Sequence, residues 1–286
     1  MSYPPIALLT DFGEKDPFVG IMKGVIARIA PQSPLIDITH QVPPCDIQRG
    51  AITLWQAYPH FPEGTVFLTV IDPGVGTDRK AIYVQTQQRV FIGPDNGVFS
   101  YISDQDPPAW ELHNPAYQYL SRSRTFHGRD LFAPAAAHAA LGVKGPAFGP
   151  PLSNLVRLPT PKLHQQGDTL QGEILTQDRF GNLLTSLGKF KPTYAGNIQF
   201  EAWLGSVPDF EMSLSEGSLI LPTGDKLPLK STFADLERGS CAALVGSSGL
   251  LEIVSNRASA AEVLALQRGD AVQLSLSPQG ETFQSV

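Results

Sequence analysis

The first clear structural signal in the chain is the run Ile6-Ala7-Leu8-Leu9-Thr10-Asp11-Phe12-Gly13. Its uninterrupted apolar residues predict a short strand that is buried on both faces and ends at Asp11. Apolar residues then recur at helical spacing from Phe18 to Ile29, and Pro31 follows the expected end of that helix. A buried strand followed by an amphipathic helix indicates an α/β layer.

The same alternation continues as far as residue 141. Leu35–Ile38 and Val66–Ile71 predict two more strands, and Ile47–Tyr58 predicts a helix with Asp46 as its cap. The remaining elements expected here are strands at Ala81–Thr86 and Val90–Ile92 and an alanine-rich helix at Arg129–Leu141, despite Pro134. This order predicts an α/β domain with a largely parallel sheet.

The second half of the chain has a different pattern. Glycine and proline crowd residues 143–166, which predicts a linker over the surface. Short alternating runs follow, and Ala258–Leu266 is the segment among them with a helical pattern: Leu170–Thr176, Leu183–Leu187, Ile198–Leu204, Ala242–Val245, Leu250–Val254 and Ala271–Leu276. We expect an α/β domain over residues 1–160 and an all-β domain, a small barrel or sandwich, over residues 161–286.

Composition narrows the class of protein. The net charge of −6 argues against a nucleic-acid binder, which would normally carry a basic patch. Two distant cysteines, Cys45 and Cys241, indicate neither a disulfide scaffold nor a zinc site. No apolar run approaches the roughly 18 residues of a membrane span. The N-terminus lacks the features of a signal peptide, so we expect a cytoplasmic protein without membrane contact.

Acidic residues follow two of the predicted parallel strands. Asp11 comes directly after the first strand and Asp72 after the third. Ligands of open α/β sheets bind at the carboxyl ends of strands, where a carboxylate can accept hydrogen bonds from a ribose diol. The loop Asp72-Pro73-Gly74-Val75-Gly76-Thr77-Asp78-Arg79 is tight enough for Arg79 to return to Asp72. The alternative is a hairpin connection with a surface ion pair.

Three other segments carry candidate site residues. His127, in Thr125-Phe126-His127-Gly128-Arg129-Asp130, lies at a loop–helix junction and has a near-neutral reference pKa. Asp178-Arg179-Phe180-Gly181-Asn182 is dense in turn-forming residues and by itself reads as a β-turn. Gly246-Ser247-Ser248-Gly249 offers backbone N–H groups for an anion, or is simply a hairpin tip.

Together these segments resemble the S-adenosyl-L-methionine (SAM) hydroxide adenosyltransferase, or hydrolase, family, which is related to the fluorinase and chlorinase. The resemblance spans nearly the whole chain and rests on motifs that stand in the family's order. They are Leu9–Gly13, Asp72–Gly76 with Arg79, Pro94–Gly97, Phe126–Asp130, Asp178–Asn182, Thr232–Asp235 and Val245–Ile253.

The resemblance implies a C-terminal β-barrel and a homotrimer with the ligand at subunit interfaces. It implies that Asp11 holds the ribose hydroxyls and that Asp72, Arg79 and His127 form a triad that activates water. It further implies substrate contacts from Asp178, Asn182, Ser247 and Glu252. Halogenating relatives carry an aromatic residue at the position of Asp72 and lack the Arg–His pair, so hydroxide is the expected nucleophile here. No cofactor is expected, because SAM is the substrate.

Such a reaction is a substitution at the ribose C5′ with methionine's thioether as the leaving group. An anionic nucleophile and a sulfonium cation cancel charge as the transition state forms, which a dry site favours. Water itself, with a pKa of about 15.7, supplies negligible hydroxide at neutral pH. Arg79 can hold Asp72 ionised and His127 can accept or relay a proton, but the sequence does not assign one general base.

Three other functions remain open on sequence alone. A non-catalytic nucleoside or SAM sensor would bind the same ligand without cleaving it. A metal-dependent hydrolase could use Asp11, Asp72 and His127 as ligands. A nucleophilic halogenase would use the same substrate with a halide.

Overall fold

The computed structural model describes residues 3–103, 105, 107–119, 121, 123–193, 197–203 and 207–276. The chain divides into two compact units, Met1–Leu158 and Pro159–Val286. Among the residues described, no helix has the length and apolarity needed to cross a lipid bilayer.

The first unit contains seven strands and four helices within its described residues. The strands are β1 (Ile6–Thr10), β2 (Leu35–Thr39), β3 (Val66–Val70), β4 (Ala81–Gln85), β5 (Val90–Pro94), β6 (Ala109–Glu111) and β7 (Pro151–Leu152). The helices are α1 (Phe18–Ile29), α2 (Ile47–Ala57), α3 (Ala133–Ala140) and α4 (Gly145–Phe148), with a π-helical turn at Gly128–Phe132 and 3₁₀ turns at Tyr58–His60 and Pro115–Tyr117. The Asp46 side chain caps α2 by accepting from the Arg49 amide, as expected.

These strands form one sheet in the order β2-β1-β3-β5-β4-β6-β7. The pairings β2–β1, β1–β3 and β3–β5 are parallel, which confirms the α/β prediction for four strands. The remaining three strands add in antiparallel fashion, so the sheet as a whole is mixed. The turn at residues 86–89 is too short for a helical crossover, so β4 and β5 can pair only as a hairpin.

The apolar run of β1 is explained by two separate core clusters. Ile6 and Leu8 pack into a cluster with residues of α1 and α3, whereas Ala7 and Leu9 pack into another with Leu54 of α2. Alternate side chains of a strand point to opposite faces of a sheet, so both faces of β1 are covered. Burial on both faces fixes the position of β1 in the sheet. It therefore also fixes the place where the strand ends and Asp11 follows.

The predicted helix at Arg129–Leu141 is confirmed over Arg129–Ala140, but its first turn is π-helical rather than α-helical. A π-helical turn covers Gly128–Phe132, and α3 starts at Ala133 with Pro134 in its first turn. Proline has no N–H, so Pro134 cannot donate to the carbonyl of Asp130 four residues earlier. That carbonyl instead accepts a hydrogen bond from the Tyr119 amide at 2.8 Å. The start of the helix is thereby joined to the preceding loop.

The second unit is a β-structure with a short helix, α5 (Ala260–Leu264), and a 3₁₀ turn at Phe233–Asp235. Its strands are β8 (Leu163–Gln166), β9 (Thr169–Gln177), β10 (Leu183–Pro192), β11 (Asn197–Glu201), β12 (Phe210–Ser213), β13 (Ser218–Ile220), β14 (Lys226–Lys230), β15 (Cys241–Val245), β16 (Leu250–Ser255) and β17 (Ala271–Ser275). The order β10-β16-β15-β14-β13-β17-β9 returns to β10 through the β10–β9 pairing. Seven strands therefore close a barrel, the fold that the resemblance implied.

Residues 143–166 are not wholly a linker, because they contain α4, β7 and β8. Each of these elements is only two to four residues long and too short for a periodic pattern. The predicted helix at Ala258–Leu266 is confirmed only over α5. The end of the predicted strand Ile198–Leu204 lies outside the described residues.

Candidate functional site

Asp11 and Asp72 lie at neighbouring strand ends, as the sequence predicted. Thr10 of β1 is in register with Val70 of the parallel strand β3, and each aspartate follows its strand within two residues. Burial raises the pKa of the Asp11 carboxyl, the negative charge of Asp72 raises it further, and a hydrogen bond from the Cys45 amide at 2.8 Å opposes the rise. The two carboxylates are close enough to influence one another's charge.

The loop after β3 folds back so that Arg79 meets Asp72. Nε of Arg79 donates to Oδ1 of Asp72 at 2.9 Å, and an η-nitrogen donates to Oδ2. The turn requires Gly76, which has φ +82° and whose added Cβ would lie 2.8 Å from the carbonyl oxygen of Arg124. The side chains of Arg79 and Asp72 are only 10% and 5% exposed, which excludes the alternative of a surface ion pair.

His127 completes this cluster. The same η-nitrogen of Arg79 lies 2.8 Å from Nδ1 of His127, whose exposure is 8%. A guanidinium has no acceptor, so Nδ1 must accept and the proton of a neutral imidazole must reside on Nε2. Arg79 also lies over the Phe132 ring at 5.1 Å. Arg79 is thus the common partner of Asp72 and His127.

The segment carrying His127 is held by Asp130, which the sequence analysis quoted within a motif but assigned no role. Its fully buried carboxylate accepts from the Ser123 amide at 2.7 Å and from Arg129 at 2.6 and 2.9 Å. Burial alone would raise the pKa of Asp130, but the hydrogen bonds from Arg129 and Ser123 lower it. Asp130 therefore stays ionised and ties the loop before His127 to the helical turn after it.

The second unit has a pocket of about 810 Å³ that brings together the other predicted site residues. Asp178, Asn182, Ser247 and Glu252 all line it. The Asp178 carboxylate accepts from the amides of Phe180 and Asn182 and from the Asn182 side chain, at 2.8–2.9 Å. Asp178 thus both forms the turn read from the sequence and faces the pocket.

Glu252 is the pocket residue with the most altered acidity. Burial, with a smaller contribution from the charge of Asp178, raises the pKa of Glu252 to about 7. Its carboxylate lies against Gly246, where an added Cβ would meet Oε1 at 1.8 Å. Gly246 also bounds the hairpin tip that carries Ser247, because its carbonyl accepts from the Gly249 amide at 2.9 Å. This tip joins β15 and β16 and forms one wall of the pocket.

Two comparisons with family models match this chain. The model described as the SAM hydroxide adenosyltransferase N-terminal domain matches residues 6–149, and the model of the C-terminal domain matches residues 172–273. The chain belongs to the SAM hydroxide adenosyltransferase family. Both groups of site residues described above fall within the matched regions.

Relatives with curated names agree with this membership. A Thermus thermophilus protein named (R)-S-adenosyl-L-methionine hydrolase is 38% identical over 94% of this chain and 99% of its own length. A Salinispora arenicola protein with the same name is 39% identical over 96% of this chain and 98% of its own length. An Actinoplanes fluorinase is more distant, at 28% identity over 93% of this chain and 95% of its own.

A solved structure from Thermotoga maritima, titled an uncharacterized conserved protein, has a similar fold. It superposes with a TM-score of 0.81 at 33% identity and covers 94% of this chain and 99% of its own. The two-unit architecture is therefore shared with an experimentally determined protein.

In this member of the SAM hydroxide adenosyltransferase family, sequence reasoning missed the aromatic walls of the barrel pocket. Phe180 is 70% exposed and Phe233 is 43% exposed, although both are large apolar side chains. A capping box between Thr232 and Asp235 fixes the turn that presents Phe233. Both residues lie in motifs noted in the sequence, Asp178–Asn182 and Thr232–Asp235. The sequence alone did not show that the two phenylalanine rings face one cavity.

A metal-dependent mechanism has little support in the geometry. Among the described residues, no group of three or more His, Cys, Asp or Glu side chains is arranged to hold a metal ion. Arg79 donates to both oxygens of Asp72 and to Nδ1 of His127, which are the atoms that a cation would need. A metal ion at these residues would therefore lie against the positive charge of the guanidinium.

Proposed function

We propose that this protein hydrolyses SAM to adenosine and L-methionine. Water attacks C5′ of the ribose, the C5′–S bond breaks, its electron pair stays on the thioether, and one proton is released. The observation that carries the proposal is the buried contact of Asp72, Arg79 and His127 in a chain of this family. Because the curated hydrolase relatives are named for the (R) form, we propose the (R) sulfonium epimer as the substrate.

The contacts of Arg79 determine which atoms of Asp72 and His127 can act on water. Since Nδ1 of His127 accepts from Arg79, the imidazole can offer Nε2–H to a water molecule but cannot use Nδ1 as a base. The Asp72 oxygens keep further lone pairs beyond those that Arg79 occupies, so they can accept the proton that water loses. We therefore assign the base to Asp72 and an orienting role to His127.

Asp11 is the candidate ligand of the ribose hydroxyls. It lies beside Asp72 at the carboxyl end of a parallel strand, which is where this type of sheet binds ligands. A carboxylate can accept hydrogen bonds from both hydroxyls of a diol at once. Such a contact would set C5′ at a fixed distance from the water that Asp72 activates.

The barrel pocket of the second unit is by itself a candidate binding site for a purine base or for methionine. The exposed rings of Phe180 and Phe233 offer π-faces to a purine, and base–aromatic stacking is worth about 1–3 kcal/mol. Asn182, Ser247 and Glu252 supply donors and acceptors for the polar edges of the base or of the methionine. Asp178 contributes by holding the loop that carries Phe180 and Asn182.

The experiment that tests this function incubates purified protein with each sulfonium epimer of SAM and separates the products by chromatography. We expect equimolar adenosine and methionine, unaffected by a chelator, and release of one proton in weakly buffered solution. Binding without product would indicate a sensor instead. Loss of activity on chelation would indicate a metal-dependent enzyme, and a 5′-halo nucleoside formed with added chloride or fluoride would indicate a halogenase.

The assembly and location are further parts of the proposal. We propose a homotrimer, as the resemblance implies, and a cytoplasmic location. Light scattering coupled to size-exclusion chromatography tests the trimer, and a mass of one subunit would contradict it.

A further inference from the structure

A second buried polar chain begins at the residue before Asp11 and lies outside the triad. Oγ1 of Thr10 is 2.8 Å from Nδ1 of His40, and Nε2 of His40 is 3.0 Å from Oδ1 of Asp37. Oδ2 of Asp37 in turn accepts from Nζ of Lys23 at 2.5 Å. Thr10 and His40 are 0% and 3% exposed, so the chain extends from the buried end of β1 to the partly exposed Lys23.

The chemistry of these contacts is consistent with a fixed imidazole. If the Thr10 hydroxyl donates to Nδ1, the proton of a neutral His40 resides on Nε2 and faces the Asp37 carboxylate. Partial burial alone would raise the pKa of Asp37, but Lys23 and His40 together lower it, so Asp37 stays ionised. Nε2 lies within contact distance of Oδ1 of Asp37, but the geometry is not that of a well-aligned hydrogen bond.

This chain holds the backbone on both sides of Asp11. The carbonyl of His40 accepts from the Gly13 amide at 2.8 Å, and Oγ1 of Thr10 accepts from the Phe12 amide at 3.3 Å. The same loop after β2 reaches Cys45, whose amide donates to the Asp11 carboxylate at 2.8 Å. His40 therefore connects the segment that carries Asp11 with the loop that hydrogen-bonds its carboxylate.

We propose that His40, held by Asp37, is a positioning residue that fixes the Asp11 carboxylate for recognition of the ribose diol. The proposal rests on the proposed function, because it takes Asp11 as the ribose ligand. The side-chain contacts of His40 lie at the ends of β1 and β2. The triad is instead built on the loop after β3 and at the start of the π-helical turn. Loss of His40 therefore weakens nucleoside binding and leaves the reacting groups in place.

The test compares His40→Ala, His40→Asn and His40→Gln with the wild type. The readouts are the Kd for adenosine by calorimetry and the kcat and KM for SAM. We expect His40→Ala to raise Kd and KM about tenfold or more while kcat stays within about threefold. Asn places a polar atom near Nδ1 and keeps the Thr10 contact, so it restores more affinity than Gln, which reaches only toward Asp37.

A double-mutant cycle with Asp11→Ala separates positioning from general destabilisation. In the Asp11→Ala background, His40→Ala should add little further loss of affinity, because it acts through Asp11. Leu54→Ala, in the core beside β1, serves as the control: it lowers the thermal midpoint but leaves Kd unchanged.

Additive losses in the cycle, or a fall in kcat with unchanged Kd, would overturn the role of His40 while leaving the proposed function intact. A wild-type protein that neither cleaves SAM nor binds adenosine would overturn both.

Discussion

Arg79 is the residue that connects Asp72 with His127 in the first unit. Its guanidinium donates to two oxygens of Asp72 and to one nitrogen of His127 from a single planar group. Lysine carries one compact ammonium and cannot satisfy that arrangement, so an exchange of one cation for the other is not conservative here. Removing the guanidinium also leaves a buried carboxylate without its counter-charge, which is strongly unfavourable.

Arg79→Lys should therefore lower the turnover of SAM by about 10²–10⁴-fold, because the imidazole loses its orientation and Asp72 its partner. The Kd for adenosine should change little, since Asp11 is untouched. Single-turnover kinetics at saturating substrate measure the effect. Arg28→Lys, at an exposed position of α1, is the matched control and should retain the wild-type rate. Near-normal turnover in Arg79→Lys would remove Arg79 from the mechanism.

Glu252 gives the second prediction at this scale. Its pKa rises from 4.5 to about 7 on folding, so the folded protein binds more protons than the unfolded chain between those values. The free energy of unfolding must then fall as pH rises through this window. Glu252→Gln removes this contribution and should be more stable than wild type above pH 7, by about 1–2 kcal/mol after allowing for solvent screening.

Urea unfolding at about pH 5 and about pH 8 measures this difference. The exposed Glu237→Gln is the control and should leave the pH dependence unchanged. If the free energy of unfolding changes by the same amount between the two pH values in Glu252→Gln and in wild type, the Glu252 carboxyl does not titrate in this range.

Among the elements, the π-helical turn at Gly128–Phe132 bears most directly on the site. Gly128 is surrounded, since an added Cβ would lie 3.0 Å from the Met22 sulfur and 3.1 Å from a ring carbon of Phe126. Helical distortions of this kind occur often at functional sites, where they re-aim a side chain. Here the turn directly follows His127.

Gly128→Ala should destabilise the protein by about 1–3 kcal/mol through overpacking, and it should lower turnover because His127 is displaced. Gly24→Ala is the matched control: it lies on the exposed face of α1, where an added methyl group meets no described atom within 4 Å. It should stabilise the helix by about 0.5–1 kcal/mol and leave turnover unchanged. Thermal unfolding and steady-state kinetics measure both variants. Equal behaviour of the two would contradict the packing argument.

Elements with strong local patterns could be predicted from sequence, and elements defined by distant contacts could not. The apolar run of β1 and the spacing in α1 are local, so both are found where expected. The π-helical turn before α3 is joined to the preceding loop by the Tyr119 amide, a contact that no periodicity encodes. Strands β12, β13 and β14 have three to five residues each and are strands because of the neighbouring strands with which they pair.

The same distinction applies to the site. Asp72, Arg79 and His127 could be selected because their loops lie at strand ends and helix starts. Their mutual contact needed the fold, because residues 79 and 127 are far apart in sequence. The positions of Phe180 and Phe233 depend on which barrel loops face one cavity, and this is a property of strand order rather than of either motif.

The whole molecule is built from two units with separate hydrophobic cores. Leu68 lies in the core of the first unit, and Phe200 lies in the core of the barrel, where it stacks on Phe210 with ring centroids 4.5 Å apart. The side chains of Leu68 and Phe200 are fully buried. A truncation in either core should therefore lower the stability of its own unit first.

Phe200→Ala should cost the barrel about 3–5 kcal/mol and Leu68→Ala should cost the first unit about 2–5 kcal/mol. Scanning calorimetry should show the transition of the second unit lowered in Phe200→Ala alone. If both variants shift one common transition equally, the two units unfold as a single cooperative body.

Pro134 illustrates how a residue that is poor for a helix can be retained. Replacing it by alanine would supply an amide able to reclaim the Asp130 carbonyl, and the helix would extend toward its N-terminus with better intrinsic propensity. The Tyr119 amide would then lose its acceptor, and the loop ahead of His127 would be less constrained. Greater thermal resistance would come with a less well-ordered histidine, so screening for heat-tolerant variants alone would favour a change that natural selection for catalysis should remove.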